Sequence, residues 1–102
     1  MNVRRWNKKE DGPVSEQALT ERLEARGFDV SRYVYSPGTR FEPHTHPVTK
    51  IDAVISGRFR ITMGGEEVVL EAGDWVEVPR GEEHAAEVVG DEPVVSLDAV
   101  AR

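Results

Sequence analysis

From Phe28 to the C-terminus the chain alternates between apolar and polar residues with a period of two, the pattern of half-buried strands. Phe28, Val30 and Val34 fall on one face of the first run, with Tyr33 and Tyr35 on the other, and Ser36-Pro37-Gly38 ends it. A second alternation leads through Ile51 to a turn at Ser56-Gly57. Between Arg58 and Met63 the separation is clean, with Phe59, Ile61 and Met63 on one side and Arg58, Arg60 and Thr62 on the other. Gly64-Gly65 predicts a tight hairpin, and Glu66 to Leu70 the return strand. Short strands follow over Trp75 to Val78, His84 to Val89 and Val94 to Val100, divided by turns at Ala72-Gly73-Asp74, Pro79-Arg80-Gly81 and Gly90 to Pro93. Strands this short, punctuated this regularly and without alternating helices, predict an all-β sandwich or barrel.

The first 27 residues follow another rule. Residues 1–14 are polar, with Gly12-Pro13 as a breaker and Trp6 as the one large apolar anchor; they are expected to form an N-terminal arm whose Trp6 packs on the barrel or on a second subunit. Residues 15–27 predict a surface helix: Ser15 is the N-cap, Glu16 sits in the first turn, Val14 and Leu19 make a hydrophobic staple, and Gly27 closes a helix running to about Arg26. Its apolar stripe, Leu19 and Leu23 with Ala18 and Ala25, is narrow, so most of the helix faces water. Residues 28–102 form the β domain.

Composition narrows the function. The chain has 102 residues, 38% apolar and 31% charged, as expected for one soluble globular domain. Its net charge is -6, although Arg4, Arg5, Lys8 and Lys9 make the first nine residues basic. An acidic body binds nucleic acid poorly, and the basic arm reads as a solvated, partly frayed terminus. Cysteine is absent, which excludes disulfides and thiolate metal sites and agrees with a cytoplasmic location. No apolar run suits a secretory signal or a membrane span, so no membrane partner is expected.

The chemistry concentrates in the three histidines. His44 and His46 are two apart in an extended segment and share a face; His84 opens another strand. Glu42 lies two residues before His44 on the same alternation, and Lys50, Asp52 and Val54 share the inward face of the strand that follows. Phe41, Phe59, Met63 and Trp75 are assigned to the core and Tyr33 and Tyr35 to structural roles, while Glu82, Glu83 and Glu87 face solvent. No Ser-His-Asp pattern, phosphate-binding glycine loop or CxxC is present.

These residues resemble the two signature motifs of the cupins. Gly38, His44, His46 and Gly57 fit G-x5-H-x-H-x3-E-x6-G, with Lys50 in the glutamate position. Gly73, Pro79, Gly81 and His84 fit G-x5-P-x-G-x2-H-x3-N, with Val88 in the asparagine position. The resemblance implies a small antiparallel jelly-roll barrel (double-stranded β-helix) with one short N-terminal helix. It implies His44, His46 and His84 as ligands of a divalent transition metal (Zn, Fe, Ni, Mn or Cu), lined by Lys50, Asp52 and Glu42, in a homodimer that takes a small organic molecule. A three-histidine metalloenzyme of dioxygenase or isomerase type is the first functional expectation. The alternative is a non-catalytic, metal-free barrel that binds or senses an anion, with Lys50 replacing the metal's charge; an inactive structural barrel is the third. A lysine 4 Å from a divalent ion costs roughly 8 kcal/mol at an effective dielectric of about 20, so a Lys50–Asp52 pair is expected to relieve it.

Overall fold

The computed structural model describes residues 1–102. After β1 (Asn2–Arg4), α1 (Lys8–Asp11) and α2 (Glu16–Ala25) come eight strands: β2 (Phe28–Tyr35), β3 (Arg40–His44), β4 (Lys50–Ser56), β5 (Arg58–Met63), β6 (Glu66–Leu70), β7 (Trp75–Val78), β8 (His84–Val89) and β9 (Val94–Ala101). They form two antiparallel sheets, ordered β1-β7-β4-β9-β2 and β3-β8-β5-β6. The jelly-roll expectation holds, but strand pairing does not close the sheets into one continuous barrel.

Two cores explain why both faces of the five-stranded sheet are apolar. Between the sheets, Val54, Phe59, Ile61, Leu70, Val76, Val88 and Val94 form one cluster. On the other face Ile51, Ala53, Leu97 and Ala99 pack with Leu19 and Leu23 of α2, Phe28 and Trp75. Strand alternation therefore sends Ile51 and Ala53 toward the helix, while Val54 joins the inner core and Lys50 and Asp52 line a cavity between the sheets.

The helix is built as its caps require. The Ser15 side chain accepts a hydrogen bond from the Ala18 amide at 3.0 Å, Gly27 takes the left-handed conformation at φ 93°, and only Leu19 and Leu23 are buried.

The basic arm is not frayed. Asn2–Arg4 pairs with β7, Arg5 bonds the Asp74 carboxylate at 2.8 Å, and Arg4 and Arg22 both bond Asp11. The two arginines of the arm are thus tied to carboxylates, Arg4 to nearby Asp11 and Arg5 to distant Asp74, which composition alone does not reveal. Trp6 donates its indole N–H to the Gly12 carbonyl and packs over Gly73, so its partners lie within its own chain. The β2 face assignment also needs correction. Val34 is 55% exposed rather than aligned with Phe28 in a core, and β2 is an edge strand of its sheet.

Two turn glycines have a packing cause. A side chain on Gly57 (φ 84°) would strike the Pro93 carbonyl, and one on Gly73 (φ 91°) would strike the Trp6 side chain.

Candidate metal centre

His44 ends β3 and pairs in register with His84, the first residue of β8, so the sheet itself sets two of the imidazoles side by side. Their ring centroids are 4.3 Å apart. His46 lies just beyond β3, and its carbonyl accepts a 2.9 Å hydrogen bond from the Gly81 amide. That bond ties the His46 segment to the loop before His84 and brings its ring to 4.7 Å from His44 and 5.2 Å from His84. One nitrogen from each ring lies within 4.8 Å of the others.

The ring nitrogens are not equivalent. His44 Nδ1 bonds the Glu42 carbonyl at 2.6 Å, and His84 Nδ1 bonds the Glu82 carbonyl at 3.0 Å. A carbonyl only accepts, so both Nδ1 atoms carry a proton, and in the neutral ring Nε2 keeps the lone pair. This is the backbone support that metal-binding histidines use to fix tautomer and orientation. Burial, helped by the Lys50 charge and the other histidines, lowers the His46 pKa. Burial also lowers that of His84, which is 4% exposed. Both effects favour neutral imidazole, the form that binds metal. Three close imidazoles, two of them oriented by backbone carbonyls, fit a borderline transition metal with positions left open.

A cavity of about 160 Å³ adjoins the histidines. Lys50 and Asp52 line it, but the expected Lys50–Asp52 pair does not form. The Lys50 ammonium instead lies 2.9 Å from both oxygens of Asp98, across the β4–β9 ladder. Register explains the choice: Asp98 stands directly opposite Asp52, so the two carboxylates compete for one ammonium and Asp98 takes it. The Asp52 carboxylate has neither a hydrogen bond nor an ion pair within the protein, and burial and the Asp98 charge push its pKa up to about 6. Tyr35, half-buried beside both carboxylates, is pushed up to about 12, chiefly by desolvation.

Glu42 does not bring its side chain to the cavity. It is exposed, 4.0 Å from Arg40, and serves the site through its carbonyl to His44. The extension through Pro43 is interrupted by a register shift between Phe41 and His44, which breaks the alternation that would have placed it. Conversely, Tyr35, Phe41 and Phe59 reach the cavity wall, with Phe41 edge-on to Tyr35 at 4.9 Å. Asp98 was missed as a site residue. Its signal was the lone charge in the run Val94–Ala101, which is otherwise apolar except for Ser96.

Residues 31–100 match the family model for the cupin domain. The chain belongs to the cupin family. No curated protein matches it. A cupin 2 conserved barrel protein from Salinispora arenicola superposes with a TM-score of 0.65 at 26% identity, covering 74% of this chain and 64% of that one. KdgF from a Halomonas species gives 0.61 at 25% identity, with coverages of 72% and 70%. The DMSP lyase DddQ from Ruegeria pomeroyi gives 0.66 at 25% identity, covering 74% of this chain but only 39% of that one. The cupin described here thus spans about two thirds or less of the length of several structures it resembles. None of its helices is long and apolar enough to cross a membrane.

Proposed function

We propose that this cupin binds one divalent transition metal through His44, His46 and His84 and takes a small organic molecule in the adjoining cavity. The observation that carries the reading is the convergence of three imidazoles, two with Nδ1 committed to backbone carbonyls. When bound, the metal would supply a Lewis acid with open positions for a ligand's oxygen atoms. The protein's part is to hold the three nitrogens, favour the neutral imidazole at His46 and His84, and shape the cavity with Tyr35, Phe41 and Phe59. Lys50 does not stand as a free cation against the metal, since Asp98 neutralises it at 2.9 Å. The same pair speaks against a metal-free anion site built on Lys50. Dioxygenase or isomerase chemistry on a small organic acid remains the reaction class in view, and one of the cupins it resembles carries an enzyme name, a lyase.

Elemental analysis of protein purified without chelator or affinity tag tests the reading. About one equivalent of metal is expected, falling by more than half in His44→Ala, His46→Ala and His84→Ala. Metal content that ignores all three substitutions would refute it. A homodimer belongs to the same proposal: β2 is an edge strand exposing Tyr33 and Val34, a surface on which a second copy would pair. Light scattering at twice the chain mass is the expected result.

A further inference from the structure

Among the protein's own groups, the charges lining the cavity do not balance. Asp52 and Asp98 face each other in register on β4 and β9, and one ammonium, that of Lys50, serves the two. Lys50 sits on Asp98. Asp52 opens onto the cavity with no partner from the protein, although a buried carboxylate is costly unless paired. The wall beside it is aromatic: Tyr35 and Phe59 stack at 5.7 Å and 28°, and Phe41 stands nearly perpendicular to Phe59 at 88°. Rings set at such angles make a corner rather than a flat face, and aromatic faces attract cations.

We propose that the Asp52 side of this cavity is a subsite for a small organic cation, an ammonium or onium head group seated between the Asp52 carboxylate and the corner formed by Tyr35, Phe41 and Phe59. The inference rests on the reading of this cavity as a ligand site and names the ligand's class: a positive head at Asp52 and oxygen donors toward the histidines. An inorganic cation suits the place less well, because hard ions require six or more oxygen ligands and this wall is largely carbon. A neutral hydroxyl would hydrogen-bond Asp52 but leave its charge uncompensated.

The test uses metal-free protein, so that it does not depend on the metal. Tetramethylammonium and tert-butanol, a neutral molecule of similar shape, are titrated separately while backbone amide NMR shifts are followed. Tetramethylammonium should shift the amides of Tyr35, Phe41 and Asp52 saturably and bind at least about tenfold more tightly than tert-butanol, the scale of a desolvated cation–aromatic contact joined to a charge pair. Asp52→Asn should remove that preference. Equal binding of the two probes, or no saturable shift with tetramethylammonium, overturns the proposal on the parent protein alone, whether or not the variant folds. A failure to load metal would overturn the metal reading and leave this result standing.

Discussion

The Lys50 ammonium lies 2.9 Å from each oxygen of the Asp98 carboxylate, bridging the inward faces of β4 and β9. The Lys50 side chain is 12% exposed and that of Asp98 is 20%, so the pair is largely withdrawn from water. Removing one member of such a pair leaves the other charged, poorly solvated and unpaired. Lys50→Met should therefore destabilise the fold by about 2–4 kcal/mol. The double variant Lys50→Met, Asp98→Leu should recover most of that loss. Urea midpoints for the two single variants and the double variant check this. Additive losses would show that the two side chains do not interact.

Lys50 also occupies the position where the family motif carries glutamate. Lys50→Glu places a third carboxylate among Asp52 and Asp98 and frees Asp98. The metal-free variant should melt below the parent, because like charges are brought together in a confined space. Added metal should then raise its melting temperature by more than it raises the parent's, since binding to the folded state stabilises in proportion to affinity. Metal affinity at least about tenfold tighter is expected, or roughly 1.4 kcal/mol. An unchanged affinity would place Lys50 outside the metal's reach.

Asp52 should make stability fall as pH rises. Its folded pKa stands near 6 against an ordinary 3.8, so between those values the folded chain holds a proton that the unfolded chain has lost. The resulting stabilisation is complete below about 3.8 and is gone above about 6. Two pKa units correspond to about 3 kcal/mol at most, and contact with the cavity's solvent reduces this to about 1–2 kcal/mol. Relative to Asp52→Asn, the parent should lose that much between pH 4 and pH 8, read from denaturation curves at each pH. A difference that stays constant with pH would be inconsistent with this titration. His46 and His84 act in the opposite sense, since their lowered pKa values make stability fall as pH drops below the ordinary histidine range.

The motif glycines should separate into two classes. Alanine at Gly57 meets backbone at Pro93, and at Gly73 it meets the Trp6 side chain. Gly38 and Gly81 share the positive φ but have open space where a Cβ would stand. Gly38→Ala and Gly81→Ala should each cost about 1 kcal/mol, the backbone term alone. Gly57→Ala should cost about 3 kcal/mol or more, since a peptide group cannot swing aside, and Gly73→Ala an intermediate amount with a change in Trp6 fluorescence. Thermal melts of the four variants give the order, and equal losses would remove the packing explanation.

Much of this architecture was written in local patterns. The period-two runs and their turn signals placed seven of the eight strands from β2 to β9, all but β3, and Ser15 and Gly27 bounded α2. The histidine spacings marked the three imidazoles that the fold then brought together. What stayed hidden depended on pairs distant in the chain. Lys50 and Asp98 are 48 residues apart, and the β4–β9 register decides which carboxylate the lysine reaches. Arg5 and Asp74, 69 residues apart, hold down an arm whose composition suggested a loose end. Glu42 was misplaced by the register shift in β3, an irregularity that no alternation of residue types announces.

The alternation of β4 has a consequence for how such a protein can change. Ile51 and Ala53 anchor the helix-side core, while Lys50 and Asp52, their immediate neighbours, line the cavity. One peptide segment thus carries two ledgers that can be edited separately. A chain can exchange a glutamate for a lysine on one edge of the pleat without disturbing a methyl group on the other. Ligand preference is then free to drift while the scaffold stands still, and a protein engineer could rewrite Lys50, Asp52 and Asp98 as a set without touching the residues that hold the sheet to its helix.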